Sequence, residues 1–180
     1  EGTGTQWIDT GYFFTDIATE TVTIDFMRTG TDAGSILYGT RKAYKDNDYG
    51  IQFQDGGNTY MQYGGNDTGL GSQNKGSLNT RYTLTQTGPT YNFNGGSYTS
   101  TGATPTQSYP LYLFAINNGG TPPAITPMRV YSFVIKDRND SIKLQLVPAK
   151  NSSGVIGMYD TVGNEFYTNQ GTGEFTAGPV

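Results

Sequence analysis

A chain of 180 residues with a formal net charge of −4 and a pI near 4.6 lacks the clustered Lys and Arg that phosphate contacts need, so nucleic acid is not an expected partner. It has no histidine and no cysteine, which excludes Ser-His-Asp and Cys-His catalysis, thiol chemistry, disulfides and Cys-based zinc sites. No run of about 18 apolar residues occurs, so membrane insertion is not expected. Only 14% of residues are charged, while 26 are Gly and 14 are Tyr, with abundant Thr, Asn and Ser. Short strands joined by polar turns produce that mixture, because Thr and Tyr suit a half-buried pleated surface and Gly, Asn and Asp suit turns. Runs of Ala, Leu, Glu and Lys that would build amphipathic helices are absent. The expected class is all-β, at a length that suits one sandwich holding together without staples.

The first clear strand covers residues 20–28, where Val22, Ile24 and Phe26 alternate with Thr21, Thr23 and Asp25. Strands are expected next at 35–41, 49–54 and 59–63, with Asp55-Gly56-Gly57-Asn58 predicting a tight hairpin turn between the last two. Residues 81–86 and 90–94 follow, and Asn94-Gly95-Gly96 predicts a second hairpin turn that needs positive φ. A further strand is expected at 111–116. Residues 120–127 hold three prolines, which would remove three ladder donors, so they predict a loop; strong patterning on both sides argues against a domain linker. Residues 128–136, longer than the rest, are expected to cross the middle of a sheet, and 142–147 follow. Strands at such regular intervals indicate a sandwich or barrel. Gly2-Thr3-Gly4-Thr5 and Gly171-Thr172-Gly173-Glu174 share a pattern that fits matching terminal strands, or simply the richness of the chain in Gly and Thr.

The closing third carries Val147-Pro148-Ala149, Gly157-Met158-Tyr159-Asp160 and Phe166-Tyr167-Thr168-Asn169-Gln170-Gly171-Thr172-Gly173-Glu174-Phe175. That segment resembles the end of laminin-G-like domains of the concanavalin A-like lectin/glucanase superfamily, found in bacterial surface proteins and phage proteins. Gln6-Trp7-Ile8-Asp9-Thr10-Gly11 resembles the start of such domains, with Trp7 standing where they usually have Tyr. Ser35–Arg41, Tyr49–Phe53 and residues 111–117 resemble their internal strands. The resemblance spans essentially the whole chain. It implies a two-sheet antiparallel jelly-roll sandwich formed by residues 1–180 as a single domain of a larger protein. It does not specify a ligand, because the same fold carries lectins, glycanases and structural modules.

Three kinds of chemistry are open to such a chain. Retaining glycosidases hold two carboxyls about 5 Å apart, and in the catalytic branch of the resembled fold these sit at alternate positions of one strand. The nearest pairs here, Glu20 with Asp25 and Asp160 with Glu165, lack that spacing, and a turn role for Asp160 is the simpler account. No catalytic residue is assigned, and a glycoside hydrolase is the least favoured expectation. Calcium takes about 6–8 oxygens; Asp46-Asn47-Asp48 and Asn66-Asp67 offer a few each, without the spacing of a regular calcium loop. Solvated turns are the simpler reading, so no cofactor is expected, with Ca²⁺ at Asp46–Asp48 as the alternative.

The third is a polar-aromatic surface, since glycan sites set a flat ring beside planar amide or guanidinium groups. Alternation sends Tyr49, Ile51 and Phe53 inward and Gln52 and Gln54 outward, with Tyr60 and Gln62 beside them on the next strand. Arg41 ends the preceding strand, and Asn117 and Asn118 follow 111–116 at its rim. Arg41, Gln52, Gln54, Tyr60, Gln62, Asn117 and Asn118 are therefore expected to form one carbohydrate-binding patch; alternatively they decorate a solvated antiparallel face. Two functions follow as expectations. One is a non-catalytic carbohydrate-binding or adhesion module of a bacterial surface protein or phage appendage, whose partner is a glycan or cell-surface polysaccharide. The other is a structural fibre, tail, capsid-decoration or spacer module that contacts protein subunits of a larger assembly. Both place the domain outside the cell, on a bacterial surface or a virion.

Overall fold

The computed structural model describes residues 1–30, 34–53, 59–70, 76–123 and 125–178. Wherever apolar and polar residues alternate, the chain is extended, and among the described residues there is no helix. The strands of the first half are β1 Ile8–Asp9, β2 Thr21–Arg28, β3 Ser35–Arg41, β4 Tyr49–Phe53, β5 Thr59–Tyr63, β6 Asn66–Leu70, β7 Arg81–Thr87 and β8 Thr90–Phe93. Those of the second half are β9 Gly96–Thr99, β10 Tyr112–Leu113, β11 Ile116–Asn118, β12 Met128–Lys136, β13 Ile142–Lys150, β14 Ile156–Asp160 and β15 Glu165–Tyr167.

They form two sheets. One has the order β1-β10-β3-β4-β5-β6, with β11 added parallel to β3. The other has the order β15-β14-β13-β12-β2-β7-β8-β9 and is antiparallel throughout. The all-β class and the two-sheet antiparallel sandwich expected from the sequence are observed. Val22, Ile24, Phe26, Leu84, Phe133, Ile135, Leu144 and Leu146 face inward from the larger sheet, and Tyr38, Tyr49, Ile51, Phe53, Met61, Tyr63 and Leu113 from the smaller. One continuous apolar cluster joins them. Rings bridge the two layers, Phe26 to Phe53 at 6.0 Å and Tyr38 to Phe133 at 5.5 Å between centroids.

β12 lies in the middle of the larger sheet between β13 and β2, as its length suggested. Asn94 and Gly95 take φ of 48° and 79° in the β8–β9 hairpin, as expected. The hairpin turn expected at 55–58 lies outside the described residues. One strand expectation is corrected: 111–116 is not a single strand. Phe114 adopts φ of 71°, donates its N–H to the Leu37 carbonyl and turns the chain, so β10 pairs antiparallel and β11 parallel with β3. A continuous apolar run gives no sign of such a break. The two Gly-Thr segments lie side by side without forming strands: Thr172 N–H donates to the Thr5 carbonyl and Thr5 Oγ1 to the Thr172 carbonyl.

Phenol groups are part of this core. Tyr38 and Tyr49 are fully buried, and Tyr38 Oη donates to Gln86 Oε1 at 2.8 Å. Burial pushes both phenols well above the ordinary tyrosine range, because an ionised ring cannot be solvated there. In the unfolded chain they ionise near pH ~10. Above that pH the unfolded state binds fewer protons than the folded one, so the stability these groups contribute is complete below pH ~10 and falls as pH rises beyond it. In an alkaline titration, tyrosinate absorbance is expected in two stages, the second coinciding with loss of the β circular-dichroism signal. A single phase with the β signal retained would contradict the burial of Tyr38 and Tyr49.

Candidate functional site

The β4–β5 hairpin puts the expected site residues in place. Its register sets Gln52 opposite Tyr60 and Gly50 opposite Gln62. Tyr49, Ile51, Phe53, Met61 and Tyr63 belong to the core, so by alternation Gln52, Tyr60 and Gln62 share the outer face of the smaller sheet. Tyr60 and Gln52 are half-buried there. Gln62 Nε2 donates to Gln52 Oε1 at 2.9 Å, and Gln52 Nε2 donates to the Gly34 carbonyl at 3.2 Å, a short chain of amides running across the strands. Gln54 lies outside the described residues.

Two members of the expected patch do not face solvent. Gln62 is 0% exposed, in a row of the sheet that runs through Gly50 and Gly39 to Tyr112; Ile36, Tyr112 and Ile116 are buried too, and Trp7 packs on Tyr112 at 4.3 Å. Its Oε1 accepts no hydrogen bond among the described residues. Asn117 is equally enclosed. Its Nδ2 donates to the Pro110 carbonyl at 3.0 Å and its Oδ1 accepts from Gly120 N–H at 2.8 Å, so it staples the chain after β11.

The remaining pair stands apart from the hairpin. Arg41 lies opposite Asn118 and its Nε donates to Asn118 Oδ1 at 2.7 Å. Ile36 is the β3 residue opposite Gln52, and Arg41 is five residues further along, roughly 17 Å at strand rise. The single patch is thus corrected to two groups on one sheet, Gln52–Tyr60 and Arg41–Asn118. The second includes Tyr44, a residue that sequence reasoning passed over. Tyr44 is 63% exposed in the β3–β4 loop, and Arg41 and Lys45 each sit 5.4 Å from its ring centroid. The signal was present in the sequence as Lys42-Ala43-Tyr44-Lys45, a ring between cations.

The carboxylates are held by structural duties. Glu20 is buried, accepting Tyr12 Oη at 2.6 Å and the N–H groups of Thr15 and Asp16. Asp25 pairs with Arg81. Asp160 takes N–H groups from Gln145, Val162 and Gly163, the turn role expected of it, and Glu165 accepts Tyr167 Oη. In the acidic loop, Asp46 pairs with Lys42 at 3.6 Å, Asp48 is buried and accepts Lys45 N–H, and Asn47 accepts Thr106 N–H. Each of these three side chains thus has a partner in or beside the loop, and no group of three or more acidic side chains suited to a metal occurs among the described residues.

The outer face of the larger sheet is different in kind. Thr21, Thr23, Thr83, Thr85, Thr87, Thr90, Asn92, Ser97 and Thr99 lie across four neighbouring strands. Their hydroxyls pair across strands, Thr21 with Thr87 at 2.8 Å and Thr90 with Thr99 at 2.9 Å.

Replacing Asn117 by Ala strands the Pro110 carbonyl and the Gly120 N–H, and is expected to cost about 1–3 kcal/mol of stability in denaturant unfolding; a change indistinguishable from zero would show that Asn117 is not a staple. Comparison of the chain with protein-family models and with curated proteins gives no match.

Proposed function

We propose that this domain is a non-catalytic carbohydrate-binding or adhesion module of a bacterial surface protein or phage appendage. The observation that carries the reading is the cross-strand pair Tyr60 and Gln52, a half-exposed ring beside a primary amide on the outer face of a sheet. A ring face suits sugar C–H groups, and an amide held by its neighbours suits hydroxyls with little ordering cost. The likeness of the closing segment to laminin-G-like, concanavalin A-like domains supports the same reading. A second reading, a structural module that contacts protein, is favoured by the Thr-Asn-Ser rows on the outer face of the larger sheet, whose short side chains lose little entropy on close packing beyond the Asp25–Arg81 pair at one end.

Two measurements test the proposal. A glycan array followed by titration is expected to give dissociation constants between micromolar and millimolar, about −8 to −4 kcal/mol. Tyr60→Ala is expected to weaken binding about tenfold or more without moving the thermal midpoint appreciably, since a ring on the outer face contributes more to stacking than to the core. Unchanged binding in that variant removes the ring from the site. Incubation with β-glucans and galactans is expected to release no reducing sugar; release abolished by Glu20→Gln or Glu165→Gln would make the domain a hydrolase instead.

A further inference from the structure

We propose that the β3–β4 loop is the subsite for an acidic group, a carboxylate or sulfate borne by the glycan; this rests on the reading of the domain as a glycan-binding module. The chain has only 11 Lys and Arg, and Arg41, Lys42 and Lys45 fall within five consecutive residues of it. In an acidic protein such local clustering gives the loop a sign opposite to the molecule's own. Two carboxylates share the loop, and neither pairs with Arg41. Asp46 is offset against Lys42, and Asp48 is turned inward, buried, and bound to the Lys45 backbone. Arg41 and Lys45 are the two cations beside Tyr44.

Arg41 is the anchor. Its Nε is used on Asn118, which fixes the plane of the guanidinium, and no carboxylate pairs with Arg41 among the described residues. Its terminal N–H groups form the planar fork that matches a carboxylate or sulfate with two parallel hydrogen bonds. Tyr44, exposed between the cations, offers its ring to the sugar that carries the acid.

The loop is also built to hold this arrangement before a ligand arrives. Lys42 N–H donates to the Asp46 carbonyl, Asp46 N–H to the Ala43 carbonyl, and Gly119 N–H to the Arg41 carbonyl. Asn47, at φ of 57°, accepts Thr106 N–H at 2.8 Å and ties the loop to a distant segment. Rigid presentation of two cations and a ring lowers the ordering cost of binding.

The test compares uronate- and sulfate-bearing oligosaccharides with neutral gluco-, manno- and galacto-oligosaccharides on the intact domain. Acidic glycans are expected to bind in preference, and more weakly as salt rises. Arg41→Gln and Lys45→Gln should each reduce that affinity by about tenfold, in keeping with the loss of a charge-assisted contact. Lys150→Gln, an exposed charge on another strand, serves as the control and should leave it unchanged. Thermal unfolding of each variant establishes that the fold is kept. Binding of neutral glycans with equal affinity, unaffected by Arg41→Gln but lost with Tyr60→Ala, overturns the acidic subsite while the glycan reading stands. Absence of binding by every glycan of both classes overturns the glycan reading itself, and the subsite with it.

Discussion

Everything on the outer face of the smaller sheet depends on how β3, β4 and β5 are held in register. Side chains alternate with a period of two, so a slip of one residue would exchange Tyr60 and Gln62 for Met61 and Tyr63. Two glycines fix the approach. A side chain on Gly50 would run into the Tyr38 carbonyl and come within 2.9 Å of Gly39 Cα, and one on Gly39 would meet the Tyr49 carbonyl at 2.8 Å. Next to them the ladder is irregular between Ile36 and Tyr38, which resets the alternation along β3. Tyr38 can then point into the core while Ile36, one place short of its expected parity, joins Gln52 on the other side.

A chain with few charges spends its acids on backbone. Asp9 caps Gly11, Asp137 holds Asn139 and Ser141, Asp160 closes the turn after β14, and Glu20 gathers the loop before β2. The Lys143 ammonium against Asp137, aided by those backbone N–H groups, holds that carboxyl below its usual range. Each such carboxylate is the centre of a turn in an otherwise strand-built chain. The loop at Lys42–Asp48 follows the same pattern in Asp48, buried on the Lys45 N–H, while Asp46 is turned to the Lys42 ammonium.

The long strands were legible because their alternation persists over enough residues to define a face: β2 and β12 read directly from Val22, Ile24 and Phe26 and from the run 128–136. β1 and β15, two and three residues long, offer no period to read. The break at Phe114 was hidden, since a bulky residue at positive φ is specified by its surroundings and not by its neighbours in sequence. Alternation correctly assigned Gln52, Tyr60 and Gln62 to one face, but it says nothing about what covers that face. Trp7 and Tyr112, which pack it, come from segments far away in the chain. Asn117 looked like a rim residue because amides serve equally as ligand contacts and as backbone staples; only the positions of Pro110 and Gly120 distinguish the two.

The central place of β12 also sets the order in which the molecule can be assembled. β2 has β7 as one neighbour and β12 as the other, so half of its backbone groups wait for a strand that begins a hundred residues later. During synthesis β2, β7, β8 and β9 can form a meander early, but its β2 edge stays open until residue 136 has emerged. Closing so long a loop before any contact rewards it makes folding slow for a domain of this size. The alternate Thr and Asp residues of β2 keep that waiting edge polar on one side, which limits its pairing with the edges of other nascent chains.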